Sequence, residues 1–368
     1  MTGPGADGQP PNDQPASELE PLVEPAGPDP SQPPEPDEGP PGVGIFALEG
    51  RRAPGLYLVA WILTVAGLAV TFVLGPMASD AAWRPMLVFA GALAVTLGLA
   101  AGAGSQVLER ADRDPVRYRG PAPVLVFGIY FFAMSLVGLV LLSVIGVDPE
   151  RPFNFFGIAV VQAAGYLLVV WLFGVRSGAL AWPQMGWPTW NGAALKDVMR
   201  GIGAAVVVML PVTMALLVIG GIVGLLLCTD APQVLPLSAT FSDGLFVVLA
   251  AAIIIPIGEE VFFRGFAQTA WTRDLGPRRA LIVTTVFFAV VHIVNIDAVA
   301  FRDGLAQAAL TLVVIAPVGL MLGWLFARFG LIAAISGHIT YNSLLLALAY
   351  VASRVPEPDQ APLQGWCQ

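Results

Sequence analysis

Residues 243–265 read DGLFVVLAAAIIIPIGEEVFFRG. The run is apolar from Leu245 to Ile257 and then carries two adjacent carboxylates, Glu259 and Glu260, and a guanidinium, Arg264. About 20 such residues cross the ~30 Å of hydrocarbon in a bilayer as a helix. An ionised side chain there costs ~2.5–3.5 kcal/mol on insertion scales, so such groups pair, conduct or react. Only two histidines occur in the chain, His292 and His338, and each lies in a further apolar run. The pattern predicts a polar site inside a helical membrane bundle.

The rest of the composition agrees. The 368 residues are 56% hydrophobic and 12% charged, with a mean hydropathy of +0.75. Lipid cannot satisfy exposed backbone amides and carbonyls, so helices are the natural solution. The net charge of −8 is not spread over the molecule: residues 1–50 hold ten carboxylates and no Lys or Arg, which leaves the remainder slightly basic. No basic stripe with interleaved aromatics is present, which excludes a nucleic-acid partner. Cys228 and Cys367 make no disulfide framework, and Cys367 is too near the end for a prenylation box.

Residues 1–42 contain thirteen prolines, nine carboxylates and no aromatic residue. Such a segment cannot bury enough apolar area to offset the entropy of ordering, and it reads as a disordered acidic tail. It lacks the basic start and apolar core of a secretory signal, so insertion is expected to rely on the first span. Nine candidate spans come after it, over 56–76, 85–105, 121–146, 155–175, 202–228, 243–265, 280–299, 305–327 and 331–352. Trp182, Trp187 and Trp190 mark a headgroup-level segment between the fourth and fifth. The expected organisation is a tail (1–42), a transmembrane helical domain (43–354) with its motif-bearing core at 240–350, and a short tail (355–368). A cytoplasmic N-terminus divides the Lys and Arg residues 14 to 4 in favour of the cytoplasm and places the C-terminus outside.

Spacing sorts the polar residues by face. Glu260 and Arg264, Phe288 and His292, and His338 and Asn342 are each i,i+4 pairs. Glu259 is turned about 100° from Glu260, so one carboxylate can meet a reacting group while the other pairs with Arg264. Counted along straight helices, Glu259, His338 and Asn342 fall toward the cytoplasmic side. His292, ~20 Å beyond Arg279, falls past the midplane. A shared site therefore needs tilted or broken helices. The chemistry such a set supports is hydrolysis: a buried carboxylate accepts a proton from water, an imidazole holds that water, and a second imidazole with an amide stabilises an oxyanion. The plainer alternatives are an ion-paired helix contact at Glu260 and Arg264 and a simple interhelical hydrogen bond at each histidine. Ser336 and Ser343 sit in no nucleophile elbow and read as small helix-contact residues.

The three pieces together resemble the intramembrane proteases related to the CAAX prenyl endopeptidase, the CPBP or Abi family. The matching residues are Glu259-Glu260-Val261-Phe262-Phe263-Arg264, then Phe288-Ala289-Val290-Val291-His292, then His338-Ile339-Thr340-Tyr341-Asn342. Gly265 fits as well, and the likeness covers about residues 240–350. It implies an all-α, polytopic transmembrane helical bundle of about 8–9 spans and a glutamate-dependent endopeptidase without metal or other cofactor. By the same likeness Glu259 is the catalytic carboxylate and activates water with His292. His338 and Asn342 form the oxyanion pocket, and Glu260, Arg264 and Phe288 support structure or substrate. The implied partners are membrane lipids and a peptide or membrane-protein substrate, which in eukaryotic members is prenylated. The family's breadth points to a bacterial plasma membrane.

Three other readings stay open on sequence alone. Glu259, His292 and His338 are also the donors of a two-histidine, one-carboxylate zinc site. A proton-coupled transporter would use the same groups as proton carriers. A non-catalytic scaffold or immunity protein would not need Glu259 or His292 to ionise at all. Substrate, oligomeric state and the role of the tail are not encoded in any of these features.

Overall fold

Prolines start many of the helices. Pro54, Pro85, Pro123, Pro152 and Pro277 stand in the first turn of their helices, where a missing N–H costs nothing and a fixed φ helps. The computed structural model describes residues 48–78, 81–187, 192–227, 240–295 and 301–354. The expected tails, Cys228, Cys367, Trp190 and the end of the seventh candidate span lie outside the described residues.

Nine helices run through the described residues. They are α1 (Pro54–Met77), α2 (Arg84–Glu109), α3 (Pro123–Val144), α4 (Pro152–Arg176), α5 (192–227), α6 (Phe241–Leu275), α7 (Pro277–Val291), α8 (Phe301–Phe329) and α9 (Leu331–Ala352). Eight are long and apolar enough to cross a membrane. The protein is an all-helical, polytopic membrane bundle. The seventh candidate span is met by α7, a 15-residue helix that tightens into a 3₁₀ turn, His292–Asn295.

Wide i→i+5 turns interrupt several spans, and α6 has two, Leu249–Ile254 and Val261–Gln268, on either side of Ile255–Glu260. Such turns recur at functional sites. The lateral order of helices depends on small residues at the crossings. A Cβ on Gly258 would stand 2.9 Å from Ala163 Cα, which lets α6 lie against α4. One on Gly201 would run into the Ala333 carbonyl, where α5 crosses α9. The main core gathers Tyr166, Phe262, Phe263, Phe266 and Phe288 from α4, α6 and α7. A second one joins Met209, Leu322, Leu325 and Tyr341 of α5, α8 and α9, with the Thr213 and Tyr341 hydroxyls 2.8 Å apart.

The α2–α3 loop is tied to the far end of α6. Its Tyr118 amide donates to Asp274 Oδ1 at 3.1 Å, and Arg110 reaches the Gly120 carbonyl. Burial pushes the Tyr118 hydroxyl well above the usual phenol range, so it stays neutral there.

Two one-residue hinges orient the site-bearing helices. Gly276 (φ 77°, ψ 164°) reverses the chain between α6 and α7, and Gly330 (φ 88°, ψ −178°) does so between α8 and α9. Only glycine populates that region readily. Gly330→Ala is expected to destabilise the bundle by about 1–3 kcal/mol, read as a lower melting temperature of the detergent-solubilised protein. An unchanged melting point would mean that the turn relaxes freely.

Candidate active site

The two adjacent glutamates of α6 have different surroundings. Glu260 is fully buried, and its Oε1 accepts two hydrogen bonds, from Arg264 Nη1 at 2.9 Å and from His338 Nδ1 at 2.8 Å. Arg264 is fully buried too. Its Nη2 donates to the Gly319 carbonyl of α8 at 3.2 Å, and its guanidinium lies 4.2 Å over the Phe288 ring. Glu259 keeps 14% of its side chain open and faces both histidines: Oε1 is 4.0 Å from His292 Nε2 and Oε2 is 3.8 Å from His338 Nε2. The expected partition, one carboxylate pairing and one free to meet other groups, is what these distances describe.

Each histidine is oriented by its other ring nitrogen. At the end of α7 the His292 amide bonds to Ala289, three residues back, as the helix tightens. The Phe288 carbonyl, four residues back, takes the imidazole Nδ1 at 2.6 Å instead. A carbonyl only accepts, so Nδ1 carries the hydrogen, and Nε2 of the neutral ring presents its lone pair toward Glu259. His338 donates Nδ1–H to Glu260 in the same way, which aims its Nε2 at Glu259 as well. The Phe288 ring lies between, with centroids 4.5 Å from His292 and 6.1 Å from His338.

Asn342 is one turn beyond His338, and its Nδ2 donates to the Ala251 carbonyl of α6 at 2.9 Å. The reason lies in Pro256. The Ile255 amide bonds five residues back to Ala250, and the next donor in that register would be residue 256, which has no N–H. Ala251 is left without that ladder partner, and Asn342 supplies one. Asn342→Leu is therefore expected to cost about 1–3 kcal/mol by stranding this carbonyl. The loss should be smaller in a Pro256→Ala background, where a backbone N–H returns. A thermal double-mutant cycle with additive losses would contradict the coupling.

The structure thus brings Glu259, Glu260, Arg264, Phe288, His292 and His338 into one cluster and anchors Asn342 beside it on α6. It also adds residues that the sequence reading missed. Gln268, one turn past Arg264 and buried, donates Nε2–H to the Gly323 carbonyl at 2.9 Å. Arg264 and Gln268 thus hold the two ends of Gly319-x-x-x-Gly323, a close-approach pattern for membrane helices that is visible in the sequence. Among the described residues, no three His, Cys, Asp or Glu side chains are grouped to enclose a metal ion. The 3.8 and 4.0 Å separations also exceed the ~3.3 Å between two ligands on tetrahedral zinc.

Residues 241–344, from the start of α6 to just past Asn342, match the family model described as type II CAAX prenyl endopeptidase, Rce1-like. This stretch is an Rce1-like domain. The family is one of glutamate-dependent intramembrane proteases, and the Rce1-like domain contains the entire buried Glu/His cluster. No curated protein and no solved structure shows significant similarity to the chain. Helices α1 to α5 lie before the Rce1-like domain and pack onto it mainly through α4 and α5.

Proposed function

We propose that the protein is an intramembrane endopeptidase that hydrolyses peptide bonds with Glu259 as general base. The observation that carries this reading is the convergence of both imidazole Nε2 atoms on one partly open carboxylate. Two acceptors 4.0 Å apart, Glu259 Oε1 and His292 Nε2, suit one water that donates a hydrogen to each. Glu259 takes the proton as the water oxygen bonds to the scissile carbonyl carbon. The carbonyl electrons move onto its oxygen, and the resulting oxyanion is met by the free N–H of Asn342 and by His338. His338 donates from Nε2 only when both ring nitrogens carry hydrogen, since Nδ1–H already goes to Glu260. Collapse breaks the C–N bond as Glu259 returns its proton to the leaving amine, giving a carboxylic acid and an amine. Glu260, Arg264 and Phe288 act on the reaction by holding His338 and His292.

The unit of function in this reading is the membrane domain 43–354 with its core at 240–350, in a bacterial plasma membrane with the N-terminus in the cytoplasm. The substrates are membrane-associated polypeptides. New protein N-termini compared between membranes holding the wild type and Glu259→Gln at equal abundance test this. Ends found only with the wild type support proteolysis, and their positions tell a lipidated C-terminal substrate from an internal membrane-protein site. Identical sets, under conditions where the protein alters the cell, would turn the case toward a transporter or scaffold. Hydrolysis is expected to persist after exhaustive chelation; a stoichiometric zinc requirement would replace this mechanism with a metal-bound one.

A further inference from the structure

Helix α5 lies outside the Rce1-like domain, yet it grips α9 on both sides, in sequence, of His338. The first contact is backbone on backbone. A Cβ on Gly201 would stand 2.7 Å from the Gly337 nitrogen, and one on Gly337 would stand 3.3 Å from the Gly201 carbonyl oxygen. Beside it, Ser336 Oγ donates to the Val198 carbonyl at 3.3 Å. The second contact is polar: the Thr213 and Tyr341 hydroxyls are 2.8 Å apart, and both residues are buried.

Gly337 and Tyr341 are an i,i+4 pair on the face of α9 that meets α5. His338 and Asn342 form the next stripe, turned about 100° from it, and meet α6. Apolar residues are spread all round α9, so burial alone sets no rotation for it. A turn of α9 by about 20° would carry a side chain ~5–6 Å from the axis through about 2 Å. That displacement would break the 2.8 Å bond from His338 to Glu260 and draw Nε2 away from Glu259. We propose that Thr213 and Tyr341 are positioning residues. Their hydrogen bond, with the Gly201–Gly337 contact as pivot, fixes the rotation of α9 and so aims His338 at the two glutamates. The hold on His338 stands on these contacts alone; its effect on hydrolysis rests on the reading of Glu259 as the base.

The test is nitrogen NMR of the full chain in detergent, isotope-labelled in its histidine rings. Two imidazoles give two sets of signals, and His338→Gln assigns them by removing one. Thr213→Val and Tyr341→Phe, which keep the side-chain bulk, are each expected to shift the His338 signals and leave those of His292 in place. Thr213→Ser, which keeps the hydroxyl, should leave both at the wild-type positions. Unmoved His338 signals in both Thr213→Val and Tyr341→Phe overturn the proposal. So does equal movement of the two histidines, the mark of a general loosening, or a Thr213→Ser shift as large as that of Thr213→Val. If one variant does not accumulate, the other decides by the same outcomes, because one hydrogen bond needs both hydroxyls. With a peptide that spans a cleavage site mapped in membranes, kcat is expected to fall about 10-fold or more with KM unchanged. Shifted His338 signals beside a wild type that releases no peptide uphold the hold on α9 and overturn the base assignment.

Discussion

Glu259→Gln is expected to lower kcat for hydrolysis by about 10²–10⁴-fold, the range for removing a positioned general base. KM and the melting temperature should stay close to those of the wild type. Glutamine keeps the shape but accepts no proton at its amide nitrogen, and among the described residues the groups within 4.0 Å of the Glu259 carboxylate that can carry positive charge are the two imidazoles, not a Lys or Arg. Glu260→Gln makes the informative contrast. Glu260 Oε1 receives both Arg264 and His338 at 2.9 and 2.8 Å, so its neutral replacement should lower stability and rate together. Purified variants assayed on one peptide, with melting curves in parallel, separate the two adjacent carboxylates. If Glu259→Gln kept wild-type turnover, or if Glu260→Gln changed rate alone, the division of labour between them would be wrong.

Arg264→Met is expected to cost about 3–5 kcal/mol, because it leaves a fully buried carboxylate without its cation. It also frees the Gly319 carbonyl and removes the cation over Phe288. The damage should appear as a much lower melting temperature and faster loss of the protein from membranes. Glu260→Gln combined with Arg264→Met should be less destabilised than Arg264→Met alone, since no lone charge remains. A double variant worse than the single by the full sum would argue that the pair contributes by attraction rather than by mutual neutralisation.

Much of the site was legible because its chemistry is written in rare letters. Two histidines, a glutamate pair and an arginine inside apolar runs leave few ways to be arranged, and i,i+4 spacing sorted Glu260 with Arg264 correctly. Most spans were legible for the same reason that hydropathy is, backbone satisfaction in lipid: nine were expected, and eight helices among the described residues are long and apolar enough to cross, α7 being the one that is not. Depth was not. Straight-helix counting put His292 past the midplane, away from Glu259, yet the two side chains are 4.0 Å apart. The wide turns of α6 and the tightened end of α7 are local departures that residue counting does not see. Partners across helices were also hidden. That Asn342 reaches Ala251, or that Gln268 reaches Gly323, depends on which helices are neighbours and in what register. The first five helices carried hydropathy but no signature.

The wide turn Leu249–Ile254 has a consequence for how this chain can change over generations. A turn closed by i→i+5 bonds holds about one residue more than an α-turn, so it absorbs an extra residue without rotating the helix beyond it. Below it, Glu259 must keep its bearing toward two histidines; above it, the first turns of α6 pack mainly against α4 among the described residues. The half of α6 before the turn is therefore free to gain or lose a residue while the half after it is not. Length variation among descendants of this sequence should collect between Phe241 and Val248 and stop short of Ala251, which Asn342 holds, and of Glu259.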